Sequence, residues 1–528
     1  MELWVQAEMM QLWMGVLVVG IVSWGFLLRQ LKKKKKKQKL PPGPPRWPIV
    51  GCLPHLLARG RGVSSPAPEV LFQRLAEQYG EVMLLCMGAR QIVVVSSARM
   101  ARAFLQRHDQ QFANRPAHIA YQHVSWNGTA LVPMSSTHPN FKPLRRLFAS
   151  EIVSPRQVAQ AEGVRKEQVV NMVRAMVQEL DGGRRVNMTK AINNLAMKLA
   201  LCLAFGHDYG TKVAGEADAL ICRFQEMMHL VIRSSYGNYG DFIPALRWLD
   251  VQGMDAAFLE VKAQLRNSIM ALIAKKEEEV RESGAHERDG IVRPLLSLQG
   301  EERVSEDQLI GIVFTLLIAG MDTIYKAVTE AIHEVVRNPH IHKRALEELD
   351  AVVGTTTRLV EDADMPQLPF VHNIVKETLR VHPPAPTIPP HRSFEPCEVE
   401  GYFIPANCSI VINLPPIMHD ASFWGNPSEF NPDRFNKMGT KITAQGSDFH
   451  FIPFGYGKRQ CPAVNLGMTT VQYVVAVCLQ CVAWQVPAGL VRNANVGTTA
   501  EPRKRSDVVL EGKLRVDPRL LETNALVA

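Results

Sequence analysis

The stretch best equipped for chemistry is Phe454-Gly455-Tyr456-Gly457-Lys458-Arg459-Gln460-Cys461. A single cysteine closes a turn interrupted by two glycines, and an apolar run from Val464 to Val482 follows it. The glycines let the backbone fold back tightly and leave room for a flat object pressed against it. Backbone N–H groups in such a turn can donate to sulfur, and the positive end of the next helix adds to that field. A lowered thiol pKa is therefore expected at Cys461. A thiolate held this way is a soft, electron-donating metal ligand, and one cysteine alone suits haem iron better than zinc. The plain alternative is a buried cysteine after an ordinary turn.

Two further constellations carry chemistry. Ala319-Gly320-Met321-Asp322-Thr323 lies in the middle of a long apolar stretch. A carboxylate beside a hydroxyl is costly there unless it is used, and such a pair can hand on protons. The competing reading has Asp322 satisfied by a neighbouring arginine. Glu377 and Arg380 are three residues apart, so on a helix they share a face and can pair. The nine cysteines follow no pairing pattern and are odd in number, which points to reduced thiols. Cys478 and Cys481 form a C-x-x-C on an apolar helix without a second pair, and read as core.

The elements that must position these residues are mostly helices. Apolar spacing predicts them over roughly 97–107, 141–150, 154–180, 188–206, 215–234, 256–283, 305–337, 339–350, 368–381 and 462–483. A hairpin is predicted at 82–87 and 91–95. Ser305-Glu306-Asp307-Gln308 is a capping box opening the central helix, which at about 1.5 Å per residue spans about 50 Å. The fold class is thus mainly α with small β-sheets.

The formal charge of +9 sits mostly at one end. Arg29, Lys32 to Lys37, Lys39 and Arg46, against Glu2 and Glu8, leave residues 1–46 at +7 and the rest at +2. A nucleic-acid partner would call for basic charge spread over a folded face, so none is expected. Leu12 to Leu28 is uncharged and near the lower limit for crossing a bilayer. The lysines follow it, which places the bulk of the chain in the cytosol. The domain plan is a membrane anchor over 1–28 (helix about 10–28), a basic run and Pro-rich hinge over 29–48, and a catalytic body over 49–528.

The cysteine loop resembles the haem loop of cytochromes P450, Phe-x-x-Gly-x-Arg-x-Cys-x-Gly. Phe454, Gly457, Arg459 and Cys461 match, and Ala463 replaces the last glycine. The hinge, Ala-Gly-x-Asp-Thr at 319–323, Glu377-x-x-Arg380 and Pro432-Asp433-Arg434-Phe435 stand in the family order. The resemblance is strongest to plant microsomal enzymes, among them p-coumaroyl ester 3′-hydroxylases and flavonoid 3′-hydroxylases.

That resemblance implies a P450 fold with an N-terminal transmembrane anchor, and haem b (iron protoporphyrin IX) with Cys461 as the axial ligand. Asp322 and Thr323 would deliver protons for O–O cleavage. Phe454, Arg145, His391 and Arg459 would bind the cofactor, Arg145 and His391 through its carboxylates. Glu377, Arg380 and Arg434 would form a buried network behind the cysteine loop. Phe141 stands where the family has tryptophan, and Ile324, Tyr325 and Lys326 stand where small or apolar residues are usual.

The partners implied are O2, membrane lipid, a small hydrophobic or phenolic substrate, and NADPH–cytochrome P450 reductase, which brings NADPH electrons through its flavins. The reductase would dock on Lys142, Arg146 and Lys458. The location implied is the endoplasmic reticulum membrane, single-pass. The reaction implied is hydroxylation of a phenylpropanoid-type aromatic. In-chain fatty-acid hydroxylation, hydroperoxide rearrangement and a haem-binding membrane protein without turnover stay open. Residues at 116–131, 227–246, 319–323, 387–389 and 496–499 would set substrate choice.

Overall fold

Apolar and β-branched residues at 82–95 give a hairpin near the start of the body, and longer apolar helices follow. The structure is a computed structural model that describes residues 38–58, 68–212, 214–283, 290–298, 304–354, 357–438, 442–487 and 507–522. The expected anchor and the lysine run lie outside these residues. The hairpin is formed by β1 (Val82–Met87) and β2 (Arg90–Val95), paired antiparallel from Val82–Val95 to Met87–Arg90. Two later strands, β3 (His391–Arg392) and β4 (Ser409–Ile412), complete a sheet of order β1-β2-β4-β3, with β4 parallel to β2.

The helices that build the site are, in chain order, α1 (Phe141–Leu147), α2 (Glu162–Asp181), α3 (Met188–Phe205), α4 (Ala214–Gly237), α5 (Met254–Ser283), α6 (Glu306–Arg337), α7 (Pro369–Val381) and α8 (Val464–Cys481). The capping box opens α6 as expected. The Ser305 side chain accepts from Gln308 N at 3.3 Å, and the Gln308 side chain accepts from Ser305 N at 2.8 Å. Helices α6 and α8 are long and apolar enough to cross a membrane, yet 56% and 78% of their apolar windows are buried inside the fold.

The first half of α6, from Leu309 to Met321, packs in one apolar cluster, and the second half, from Ala327 to Val336, packs in another. Residues 322–326 therefore sit where one helix passes between two cores. A third, smaller cluster joins β1 and β2 to Cys52, Phe72 and Phe242.

Two helix boundaries differ from expectation. The run 154–180 is broken at Ala161 into Pro155–Gln160 and α2. The last helix stops at Cys481, because Val482–Gln485 pairs as a strand with Val509–Leu514, from Val482–Leu514 to Gln485–Glu511. Tertiary pairing of Val482 and Trp484 overrides helical spacing there.

Candidate active site

The glycines of the cysteine loop are required by its conformation. Gly455 and Gly457 both have positive φ, 72° and 74°. A Cβ at Gly457 would lie 2.6 Å from Asp109 Oδ1 and 2.7 Å from Leu105 O, too close for any side chain. Gln460 N donates to Gly457 O and Cys461 N to Phe454 O, each at 3.0 Å, and this closes the turn. Ala463 has φ −94°, so the position needs no glycine.

Cys461 lines a cavity of about 360 Å³ whose wall also includes residues of α6. Burial pushes the Cys461 thiol up. The backbone N–H of Ala463 and the charge of Arg145 pull it down but do not win. The expected N–H donor to sulfur is present, and the expected lowering of the pKa is corrected: a buried thiol facing only protein stays protonated, and a metal cation must displace its proton.

One end of the cavity is strongly cationic. Arg115, Arg145 and Arg459 all line it. Some of their N–H groups donate to backbone carbonyls, which fixes the side chains and leaves other N–H groups for a ligand. Arg115 reaches Val132 O at 2.9 Å and Pro390 O at 2.9 Å, Arg145 reaches Gln460 O at 2.7 Å, and Arg459 reaches Ala113 O and Met134 O at 2.6 Å each. Burial, with Arg115 and Arg145 beside it, pushes the Arg459 guanidinium down to about 8. His391 stands near Arg115 and Arg459, does not itself line the cavity, and is held well below its ordinary value by burial. Its Nδ1 lies 3.1 Å from Phe112 O, and its buried Nε2 has no partner. Phe141 packs its ring 4.3 Å beneath the Arg459 guanidinium, a cation–π contact in place of an N–H donor.

Three crowded guanidiniums and an orphaned imidazole nitrogen fit a dianionic group, such as the two carboxylates of a haem. Arg115 was not singled out from the sequence. It sits before Pro116 in irregular chain, and nothing local marks it as buried.

On α6, Ala319, Gly320, Thr323, Ile324 and Ala327 face the cavity. The Thr323 hydroxyl donates to Ala319 O at 2.7 Å. Gly320 opens the wall and also lets α3 approach, since a Cβ there would lie 3.3 Å from Ala200 Cβ. Asp322 does not reach the cavity wall. Its Oδ2 lies 2.5 Å from Lys326 Nζ, so its partner is a lysine on its own helix and not an arginine. Among the expected specificity segments, Leu131, Ile388 and Pro389 line the cavity and 227–246 does not. That segment covers the β1–β2 turn instead, where Ala89 N donates to Phe242 O at 2.7 Å. Residues 496–499 lie outside the described residues.

Behind the loop, Glu377 and Arg380 are wholly buried on α7 and joined by two 2.8 Å bonds. Arg434 Nε donates to the same Glu377 Oε1 at 2.8 Å. Two cations thus meet one carboxylate, and carbonyls of Met418, Trp424, Gly425, Asn426 and Glu429 take the remaining N–H groups. Rings lie between the network and the loop: Arg380 lies 5.3 Å over Trp424, Trp424 contacts Phe451 edge-on, and Phe449, two residues earlier in the chain, packs on Tyr456.

A mainly helical body around a buried, cation-rimmed apolar cavity is the pocket of a haem-dependent oxygenase. Residues 41–501 match the family described as Cytochrome P450, and the chain belongs to that family. It is similar to a flavonoid 3′-monooxygenase of Petunia hybrida, 32% identical over 88% of this chain and 89% of that one. It is equally similar to a flavonoid 3′,5′-hydroxylase of Eustoma exaltatum subsp. russellianum, 32% identical over 88% and 89%. A flavonoid 3′-monooxygenase of Arabidopsis thaliana is 32% identical over 87% and 88%. The protein is a P450 monooxygenase. Its cofactor is haem b, and it uses O2 and a hydrophobic substrate.

Proposed function

We propose that this enzyme hydroxylates a phenylpropanoid-type aromatic ring. The observation that carries this reading is the cavity itself: Cys461 and Thr323 line the same largely apolar wall, in a chain whose relatives bear the names of flavonoid hydroxylases. When bound, the haem supplies dioxygen activation and oxygen insertion. In this reading Cys461 Sγ holds the iron, and Phe454 packs against the macrocycle. Arg145, Arg459 and His391, joined by Arg115, hold the carboxylates. Asp322 and Thr323 move protons toward the cavity. Glu377, Arg380 and Arg434 keep the loop in place.

NADPH–cytochrome P450 reductase supplies the electrons, docking on the exposed Lys142, Arg146 and Lys458. Residues 1–28 anchor the chain in the endoplasmic reticulum membrane, 29–48 form the basic run and hinge, and 49–528 form the catalytic body on the cytosolic side. Exposed Trp47 and Ile49 at the end of that hinge, and Trp248 and Val251 beyond Phe242, support a second contact with lipid. Both segments rest on the β1–β2 turn, with Gly88 N donating to Val50 O at 3.2 Å.

A second reading, in-chain hydroxylation of a fatty acyl chain, is favoured by one observation. The Thr315 and Thr323 hydroxyls both donate to carbonyls of α6, so the α6 wall offers a phenol no hydroxyl donor. The experiment is a substrate-binding difference spectrum over phenolic and fatty-acid panels, followed by turnover with NADPH and reductase. Response and product only with fatty acids would overturn the aromatic reading.

A further inference from the structure

The pair on the flank of α6 assigns a task to a residue that the haem site does not use. Asp322 and Lys326 are one turn apart, carboxylate first, which is the favoured order for a helical ion pair. Their side chains are only 16% and 14% exposed, so salt screens the pair poorly. The α6 residues that face the cavity are 315, 316, 319, 320, 323, 324 and 327, and neither member of the pair is among them. The Thr323 hydroxyl proton is already committed to Ala319 O, so toward the cavity Thr323 can only accept. A proton arriving there needs another donor. The carboxylate next in the chain is held along the helix by an ammonium.

We propose that Lys326 is a positioning residue that keeps Asp322 off the cavity wall, so that each proton handed toward Thr323 waits for the Asp322–Lys326 pair to open. The proposal rests on the reading of Asp322 and Thr323 as the proton path. In the step itself, a solvent proton adds to the freed Asp322 carboxylate and leaves it toward the cavity beside Thr323, whose hydroxyl oxygen accepts a hydrogen bond from that side. No electrons move, and the carboxylate returns to Lys326.

The test compares haem-loaded wild type with Lys326→Met, Lys326→Arg, Asp322→Asn and the double variant Asp322→Asn/Lys326→Met. Lys326→Met should raise the ratio of product to hydrogen peroxide roughly two- to fivefold, the size expected for losing an ion pair of this exposure, and should shrink the solvent isotope effect on NADPH oxidation. Lys326→Arg, which keeps the charge, should restore wild-type values. A double-mutant cycle on urea unfolding, read without turnover, should show the two positions coupled. An unchanged or lower ratio in Lys326→Met, failure of arginine to restore it, or additive unfolding effects would overturn the proposal alone, provided Asp322→Asn still lowers the ratio. If Asp322→Asn keeps the wild-type ratio, the proton path itself falls and the proposal falls with it.

Discussion

Cys461 sits in a cavity whose burial favours the neutral thiol, so its charge as a ligand must come from the metal it meets. Cys461→Ser is therefore expected to bind haem without the red-shifted band that a thiolate gives the reduced carbon monoxide complex. Survival of that band would remove the sulfur from the coordination sphere. Arg115 makes a second test at this scale. Arg115→Gln removes one of three cations that line the cavity, and haem loss to a scavenger protein should quicken about tenfold or more, the range for a hydrogen bond to a charged group. The type of residue announces its chemistry for Cys461, Thr323 and Arg459, because few side chains do what these do. Arg115 carries no such mark, because its meaning comes from chain 275 residues away at Pro390. Lys326 was visible only as a departure from the family pattern. Its spacing from Asp322 allows a helical ion pair, and the structure shows that this pair forms.

At the level of elements, the boundaries that follow from local rules are the legible ones. Ser305 and Gln308 cap α6, and the β1–β2 pair closes on Gly88 and Ala89 as a hairpin. The boundaries that were misplaced depend on distant chain, as at Val482, whose strand partner lies at Leu514. The buried network between α7 and the segment 418–434 mixes both kinds. The spacing of Glu377 and Arg380 is local, whereas Arg434 arrives from 57 residues on. Glu377→Gln would leave two buried guanidiniums facing carbonyls alone. A loss of about 3–5 kcal/mol in unfolding free energy is expected, together with failure to retain haem, measured by chemical denaturation and by absorbance after purification. A loss below about 1 kcal/mol would mean that the carbonyls suffice.

For the whole molecule, acid is the natural stress. Burial pushes His118 down to about 3 and His419 down to about 4, in the second case beside Arg380. Both are neutral in the folded chain, and both return to about 6.5 when it unfolds. Below that pH the unfolded chain binds more protons. Stability is fully present above pH about 6.5 and falls as pH drops toward 4, by up to about 1.4 kcal/mol per pH unit for each group. Urea midpoints measured from pH 7.5 to 5 should therefore fall, and the combined change His118→Gln/His419→Gln should flatten the slope. Equal slopes for the variant and the wild type would show that other groups carry the effect.

The crowding of Arg115, Arg145 and Arg459 around one end of the cavity has a consequence for the cell that makes this protein. Folding without porphyrin brings these like charges together with only Asp109, among the described residues, as an acidic neighbour, and porphyrin binding shifts the chain toward the native state by mass action. Accumulation should then track tetrapyrrole supply: a culture fed a porphyrin precursor would yield more intact polypeptide, and a starved one would lose it to proteolysis.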